Sequence, residues 1–437
     1  MQTFFKFTAS QVKRIKKNLF AKLTSEFFQI LSQVLYPPLM ILFWGIDKFG
    51  IWIFLMSLAS MFTMFNFNFT EASLQEMSIY NQKKKFKKVN EIFQNTFGLI
   101  ILNLLFLSTV ILVYFIFFEI DFSITKDLNL GEAKIIFLII IFSVFVDIYN
   151  SLLNIGIWYQ GKQYISVNIL TSLEIISKLS IAISGLFFES LIYAAILLII
   201  FSVLKIIIFY YYFNLLNSHL KFSLKNFTKK KSYHLIKLSI GHFADLLAHT
   251  IKNSGLIVVI GIFFNANLVT YFSTAKTLFY FFPLRFFNVL TSVSLYEYAK
   301  VFAKKNIYNL KHNHKKHVLL VILTSFLFIL ISITAGPFLY KVWLVGKYEI
   351  TLLVLTLIVF DVFLNNFRNS FAIILRSTNN MLNIGIIDLT ISSLVILIYY
   401  YFFSIGYRIE TSLVVILFGS AASLFFSIHY IKQFYKN

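Results

Sequence analysis

The stretch Ile350–Arg376, ITLLVLTLIVFDVFLNNFRNSFAIILR, decides the fold class of this chain. It is long and apolar enough to cross a bilayer as one helix, which takes about 20 predominantly apolar residues. Nevertheless it carries Asp361 and Arg368 well inside the run. A charge at the centre of a membrane helix costs about 2.5–3.5 kcal/mol. We therefore expect these side chains to face a polar interior or each other, and not lipid.

Runs of this kind recur along almost the whole chain. Its 437 residues are 59% hydrophobic and only 13% charged, with a mean hydropathy of +0.79. The predicted spans are about 19–44, 50–78, 93–118, 134–159, 164–188, 190–215, 234–262, 267–299, 317–340, 350–376, 382–405 and 410–431. The sequence thus predicts an all-α polytopic membrane protein with about twelve transmembrane helices.

The net charge is +21, and the basic residues that cause it are distributed along the chain as a membrane topology requires. Most of the 39 Lys and Arg fall in alternate loops, among them the clusters Lys83–Lys88 and Lys229–Lys231. Positive loops stay on the cytoplasmic side, so both termini are predicted to be cytoplasmic. These clusters are typical of topology anchors that touch anionic lipid headgroups, and we predict no nucleic-acid partner.

The basic loop at 216–233 divides the predicted helices into two sets of six. We predict an N-terminal six-helix bundle over residues 1–215, a cytoplasmic linker over 216–233 and a C-terminal six-helix bundle over 234–437.

A weak internal repeat supports two pseudo-symmetric halves. Asp147 is followed fifteen residues later by Lys162, and Asp361 by Arg376 at the same spacing. Internal repeats are common in secondary transporters, whose substrate site lies near the midplane.

Twelve of the charged side chains inside the predicted spans are the candidate site residues. The bases are Lys22, Lys178, Lys205, Lys252, Lys276, Arg285 and Arg368, and the acids are Glu26, Asp147, Glu174, Asp245 and Asp361. Lys22 and Lys205 lie nearer the cytoplasmic ends, from which they can snorkel to the interface. The bases Lys178, Lys252, Lys276, Arg285 and Arg368 predict a cationic central cavity, which suits a pyrophosphate or acidic sugar.

The same charged side chains have a structural alternative, in which they form interhelical hydrogen bonds and ion pairs that hold a helix bundle together. Glu174 and Lys178 are four residues apart and can pair within one helix. Asp245 and His249, one turn apart, can couple transport to protons, although Asp245 can equally pair with Lys252 or His249. Both interpretations stay open at the level of sequence.

All four prolines lie inside predicted helices. Pro37-Pro38 is predicted to interrupt the first helix and Pro283 the eighth, because proline removes a helical hydrogen bond. Such breaks serve as hinges in a rocking transporter or as static kinks.

Cofactor and metal chemistry find little support in the sequence. The chain has no cysteine, so a thiolate metal site is excluded. The histidines His312, His314 and His317 are predicted to lie on a solvated face of a Lys-rich loop. We predict no catalytic residue, no metal and no cofactor, and the absence of a Gly-rich phosphate loop argues against direct ATP drive.

Three stretches resemble the Wzx-type flippases for lipid-linked oligosaccharides, within the MATE-like multidrug/oligosaccharidyl-lipid/polysaccharide exporter superfamily. They are Asp47–Trp52 leading into Met64–Ala72, Ser239–Leu278, and Leu375–Asn380. With twelve spans and both ends inside, the resemblance covers essentially the whole chain.

The resemblance implies alternating access by two bundles that carry undecaprenyl-pyrophosphate-linked oligosaccharide to the outer leaflet. It implies a cavity lined by Glu26, Asn66, Lys252, Lys276 and Arg285. The chain departs from the family pattern at Asn66 and Asn253, where acids are common, and at Asn68, where glycine is common. Ion coupling through those positions is therefore not implied.

We therefore predict a multi-pass flippase of the bacterial inner membrane, used in O-antigen or other surface polysaccharide synthesis, and not an enzyme. Its partners would be the lipid-linked glycan, membrane lipids and polysaccharide polymerase machinery; the oligomeric state is open. The alternative is a cation-coupled MATE-type exporter of small molecules, which predicts an acidic cavity. A glycosyl polymerase would need catalytic Arg and His in outer loops, but the predicted outer loops carry only Arg408.

Overall fold

The computed structural model describes residues 9–63, 67, 69–117, 124, 130–287, 298, 307–377 and 382–435. Within these ranges the regular secondary structure is helical. The helices are α1 Ala9–Trp44, α2 Ile46–Phe62, α3 Phe69–Gln82, α4 Phe86–Phe117, α5 Leu130–Trp158, α6 Gln163–Ser184, α7 Leu191–Leu216, α8 Lys229–Thr250, α9 Leu256–Phe263, α10 Ala266–Lys276, α11 over residues 282–287, α12 Ile307–Trp343, α13 Leu352–Ser377, α14 Leu382–Ser404 and α15 Ile409–Phe434. Two π-helical segments, Ile251–Gly255 and Thr277–Phe281, follow α8 and α10.

The prediction of an all-α polytopic membrane protein is confirmed. Ten helices in the described ranges are long and apolar enough to cross a bilayer, and they match ten of the predicted spans. The second predicted span corresponds to α2 and α3, and the eighth to α10, its π segment and α11. The cytoplasmic placement of the termini stays a prediction.

The second span differs from the continuous helix expected over 50–78. Helix α2 ends at Phe62, and α3 begins at Phe69. The intervening stretch is rich in asparagine, which competes with the helix by bonding to nearby backbone. Asn66 and Asn68 both lie outside the described residues.

The chain forms two compact units. The N-terminal unit comprises the described residues within Met1–Ser32, Phe65–Ile120 and Gly131–Ile240, and the C-terminal unit those within Gln33–Met64, Asp121–Leu130 and Gly241–Asn437. Helices α1 and α8 are each divided between the units. The proposed boundaries at 215 and 234 stay a prediction.

The core of the N-terminal unit is aromatic where α4, α5 and α7 meet. The rings of Phe93 and Phe213 stack with centroids 5.4 Å apart, and both side chains are almost fully buried. A β-carbon at Gly156 would approach Phe213 to 2.3 Å. The glycine therefore lets the phenylalanine of α7 pack directly on the backbone of α5.

In the C-terminal unit α13 packs against both α12 and α15, and α2 packs against α10. Half of the 26 residues of α13 are buried, including Asp361 and Arg368. This central helix therefore carries its two charged side chains into the interior of the unit.

The proline pair does not break the first helix, so the predicted interruption is wrong. Helix α1 runs unbroken through Pro37 and Pro38. Likewise Pro283 lies inside helical residues 282–287. The hinge role of these three prolines stays a prediction.

The prediction that the histidines near the start of α12 face solvent is wrong for two of them. His314 is 4% exposed and His317 is 7% exposed. The Nε2 atom of His314 lies 2.9 Å from the carbonyl oxygen of Ser370, and its Nδ1 lies 3.0 Å from the hydroxyl of Tyr435. His314 therefore fastens α12 to α13 and to the C-terminal end of α15.

Candidate functional site

The candidate site is a buried charge cluster inside the C-terminal unit, built by α8, the first π segment, α13, α14 and α15. It surrounds a small cavity of about 40 Å³. The charged and polar side chains that line this cavity are Asp245, His249, Lys252, Asn365, Arg368, Asp388, Ser392, Ser420 and Ser423. The structure thus brings together four residues that the sequence predicts on two different spans: Asp245, His249, Lys252 and Arg368.

Lys252 is held by three oxygen atoms. Its Nζ lies 3.1 Å from Asp361 Oδ1, 3.2 Å from Asn365 Oδ1 and 2.6 Å from Ser420 Oγ. Asp361 Oδ1 also accepts hydrogen bonds from Ser420 Oγ at 2.5 Å and from Asn365 Nδ2 at 2.9 Å. The side chain of Asp361 is only 7% exposed, so this ion pair is compensated by further hydrogen bonds, as a buried pair must be.

Arg368 forms the second half of the cluster. Its guanidinium donates to Asp388, to Asn369 Oδ1 at 2.8 Å and to Asp245 Oδ1 at 3.5 Å. Asp245 also accepts from Arg376 Nη2 at 3.1 Å. The Nε atom of Arg368 is buried and has no acceptor among the described residues. One donor of this buried guanidinium is therefore available to water or to an anion.

Lys276 reaches the same region from α10 but is held differently. Its Nζ donates to Asn253 Oδ1 at 3.1 Å and lies 5.0 Å from the centroid of the Tyr280 ring and 5.3 Å from that of Phe281. The side chain is 4% exposed. With the Phe272 ring at 5.8 Å, an amide oxygen and three aromatic rings thus surround this ammonium, and cation–π contacts of this kind strengthen when desolvated.

Both π segments adjoin these cations. Lys252 and Asn253 lie within the first, and Lys276 directly precedes the second. The bond from Lys276 to Asn253 therefore links the two irregular segments. Single π turns inside α-helices occur frequently at functional sites, because the extra residue rotates the side chains that follow it.

The cluster contains four bases and three carboxylates. The bases are Lys252, Lys276, Arg368 and Arg376, and the carboxylates are Asp245, Asp361 and Asp388. A volume of 40 Å³ holds about three water molecules at the usual requirement per water. The cluster in this conformation is therefore closed to a pyrophosphate or a sugar.

Arg285 lies outside this cluster and contacts α1. Its Nε donates to Gln33 Oε1 at 2.9 Å, which joins α11 to the part of α1 that belongs to the C-terminal unit. Of the five bases predicted to line a cationic cavity, Lys252, Lys276 and Arg368 thus share one region, while Arg285 lies elsewhere in the same unit.

The remaining candidates belong to the N-terminal unit. Lys178 pairs with Glu174 at 2.8 Å within α6, which confirms the internal pair expected from their spacing, and both side chains are partly exposed. Lys205 on α7 pairs with Asp147 on α5 at 2.6 Å, and its snorkelling stays a prediction. Glu26 lies partly buried on α1.

Two members of the cluster were missed from the sequence. Arg376, at the end of the predicted span 350–376, is not among the candidate site residues, but it lies in the last turn of α13 and binds Asp245. Asp388 is the one carboxylate in the apolar sequence of α14. A single acid in an apolar span is the feature of the sequence that could have identified it as a site residue. The sequence predicts Lys252 or His249 as the partner of Asp245, and the structure places two further partners, Arg368 and Arg376, beside it.

Comparison with known proteins identifies the fold but not a sequence family. No protein-family model and no curated protein matches the chain. Among solved structures, an inward-facing multidrug resistance MATE family transporter of the MOP superfamily aligns over 96% of this chain and 98% of its own, with a TM-score of 0.61 and 12% identity. A MOP superfamily transporter from Pyrococcus furiosus, described by the reverse polarity of its binding pocket, aligns over 97% and 96%, with a TM-score of 0.65 and 12% identity.

A flippase shares the same fold. The lipid II flippase MurJ, in its inward closed conformation, aligns over 96% of this chain and 87% of its own, with a TM-score of 0.63 and 18% identity. The chain therefore has the MATE-like fold of the MOP superfamily, a fold that these transporters and this flippase have in common. At these identities the likeness defines the fold alone, so cargo must be argued from the side chains.

Proposed function

We propose that the protein is a flippase that moves undecaprenyl-pyrophosphate-linked oligosaccharide across the bacterial inner membrane by alternating access, for O-antigen or other surface polysaccharide synthesis. The fold supports a transporter, and one protein with this fold flips a lipid-linked substrate. The anionic, pyrophosphate-linked cargo is supported by the charges of this chain's own residues.

The observation that carries the proposal is the set of buried bases in the C-terminal unit. Lys276 and Arg368 are each 4% exposed, inside helices of a membrane protein. Ionisable side chains at such depth are costly and mark substrate or ion pathways. A guanidinium and ammonium groups are suited to the oxygens of a pyrophosphate.

The carboxylates give the proposed site a mechanism for staying stable when empty. Asp361 neutralises Lys252, and Asp388 neutralises Arg368. In the proposed cycle the pyrophosphate replaces these carboxylates as the partner of the bases when the cluster opens. The exchange of one anionic partner for another keeps the bases paired in both states, which avoids the penalty of a buried unpaired charge.

The alternative function is a cation-coupled exporter of small molecules. It is favoured by one observation, the oxygen atoms of Asp361, Asn365 and Ser420 that surround the Lys252 ammonium. Such a set can coordinate a cation. Here it already holds one supplied by the chain, so the flippase is the better-supported proposal.

The experiment is complementation of a bacterial strain that lacks its own O-antigen flippase. The informative variant is Lys276→Met, because Lys276 is held by an amide and aromatic rings, and its removal strands no directly bonded carboxylate. We expect surface glycan to fall at least tenfold, with recovery in Lys276→Arg. The matched control is Lys341→Met, which removes an exposed lysine paired with Glu349 in the same unit.

Arg368→Gln and Arg285→Gln extend the test, with membrane levels of each variant measured by immunoblot. Failure of the well-expressed wild type with several glycan types would reject the flippase and favour the small-molecule exporter. Full activity of Lys276→Met would show that the cluster does not contact the pyrophosphate. Association with polysaccharide polymerase machinery is a further part of the proposal, which co-purification from the complemented strain would test.

A further inference from the structure

A second cavity lies entirely within the N-terminal unit, between α4 and the first turns of α8. Its volume is about 720 Å³, within the range of about 300–1,000 Å³ typical of ligand pockets. Eight residues line it, namely Leu99, Leu102, Phe227, Lys229, Lys230, Ser232, Tyr233 and Ile236. This cleft is apolar along its walls and basic at one end.

The floor of the cleft is built by close packing. A β-carbon at Gly98 would come within 2.3 Å of the Phe227 ring, so only glycine lets this ring lie flat on α4. Buried Asn95 fixes the same segment, because its Nδ2 donates to the carbonyl of Asn226 at 2.9 Å and its Oδ1 accepts from the backbone N–H of Thr228 at 2.9 Å. The cleft is therefore a defined feature of the fold.

The polarity of α4 places the cleft at the membrane interface. The first turns of α4 are polar and bind the segment before α8, as in the bond from Lys221 N to Asn90 Oδ1 at 2.9 Å. From Phe97 onward the helix is apolar, and Leu102 is 53% exposed. The basic end of the cleft thus lies at headgroup level, and its apolar walls extend into the hydrocarbon region.

The lysines at this end differ in their partners. Lys231 is paired with Glu91 at 2.8 Å. Lys229 and Lys230 are exposed and have no acidic partner among the described residues. Both lie in the first turn of α8, where the helix dipole is positive and a further cation is unfavourable. An anion bound here would relieve repulsion from two lysines and from the helix end.

We propose that this cleft binds an anionic phospholipid, with an acyl chain along Leu99, Leu102 and Ile236 and the headgroup phosphate against Lys229 and Lys230. With the predicted topology the lipid belongs to the cytoplasmic leaflet. Basic pockets between membrane helices on that side are suited to anionic headgroups. The combination of a lipid-exposed apolar wall and two lysines without acidic partners identifies an anionic lipid and disfavours a zwitterionic one. The site is independent of the cargo proposed above.

Native mass spectrometry of the full chain in detergent tests the site by counting retained lipids. The probes are phosphatidylglycerol and phosphatidylcholine with identical acyl chains, added in a concentration series. We expect the wild type to retain phosphatidylglycerol preferentially. In Lys229→Ala/Lys230→Ala that affinity should fall about 30-fold, as two lysine contacts near a membrane surface predict, and Lys229→Arg/Lys230→Arg should restore it.

The control variant is Lys83→Ala/Lys87→Ala, which removes the same charge from another exposed basic segment of this unit and should bind like the wild type. A second variant, Leu102→Gln, tests the apolar wall and should weaken both lipids alike. Equal retention of the two lipids by the wild type would overturn the proposal. So would an equal loss in the Lys83→Ala/Lys87→Ala control, or preferential capture of a polyprenyl pyrophosphate, which would make the cleft a cargo site.

Discussion

Trp343 completes the hydrogen bonding of a helix that proline has weakened. Its indole Nε1 donates to the carbonyl oxygen of Val34 at 2.7 Å. In an α-helix this carbonyl would accept from the backbone N–H four residues later, but that position is Pro38, which has none. The side chain of α12 thus replaces the donor that Pro38 lacks, at the place where α1 continues through two consecutive prolines.

We predict that Trp343→Phe destabilises the protein and that Pro38→Ala removes most of this effect. Loss of the indole donor leaves the Val34 carbonyl unsatisfied, at a cost of about 1–3 kcal/mol. Restoring the N–H at position 38 supplies the helical donor instead. A double-mutant cycle of thermal unfolding in detergent measures the coupling. Additive effects of the two substitutions would contradict this account.

The pair of Lys252 and Asp361 supports a second prediction. Breaking a buried ion pair by removing one partner costs about 3–5 kcal/mol, whereas apolar replacement of both is close to neutral. We therefore expect Lys252→Met to lower the melting temperature strongly, and Lys252→Met/Asp361→Leu to recover most of the loss.

The exposed pair of Lys341 and Glu349 is the matched control for that prediction. Its atoms are closer, at 2.6 Å, but exposed pairs contribute little to stability, so Lys341→Met should leave the melting temperature unchanged. If transport is lost in the stable Lys252→Met/Asp361→Leu protein, the lysine acts in the cycle beyond its structural pairing.

Helical periodicity accounts for the neighbours in the structure that lie on one helix. Asp361 and Asn365 are four residues apart on one face of α13, and both contact Lys252. Glu174 and Lys178 pair across the same spacing. The 3.6-residue repeat fixes such neighbours before any tertiary structure exists.

Helical periodicity does not predict which residues on different helices contact each other. The bonds from Arg368 to Asp388 and from Arg376 to Asp245 join residues 20 and 131 positions apart. The partners depend on how α8, α13 and α14 pack, which a single sequence does not specify. The same limit explains His314, whose polar neighbours suggested a loop but whose burial comes from Phe371 and Tyr435.

Gly50 lies where α2 closely approaches the start of α10. A β-carbon there would lie 2.1 Å from the carbonyl oxygen of Ala266 and 2.8 Å from Thr270 Oγ1. The obstructing atoms include backbone at the start of α10, which Asn265 caps by accepting from Leu268 N at 3.0 Å.

We predict that Gly50→Ala costs about 1–3 kcal/mol or more, the usual range for overpacking. Small residues allow such close contact between membrane helices. Gly131→Ala is the control, because a β-carbon there would meet nothing within 4 Å. Detergent unfolding curves should separate the two variants, and equal melting temperatures would show that α2 and α10 can move apart freely.

Asn95 supports the last prediction, because one buried side chain ties α4 to the segment that starts α8. It is fully buried, donates to the carbonyl of Asn226, and accepts from Thr228 N and from Ser232 Oγ at 3.4 Å. Asn95→Ala leaves the Asn226 carbonyl and the Thr228 N–H without these partners, at about 1–3 kcal/mol for each unsatisfied group. Asn95→Asp keeps the acceptor and loses the donor, so it should fall between the wild type and Asn95→Ala. Hydrogen exchange should show the loss first at Thr228 and the following turn of α8, whereas uniform exchange across the unit would indicate global destabilisation instead of release of this segment.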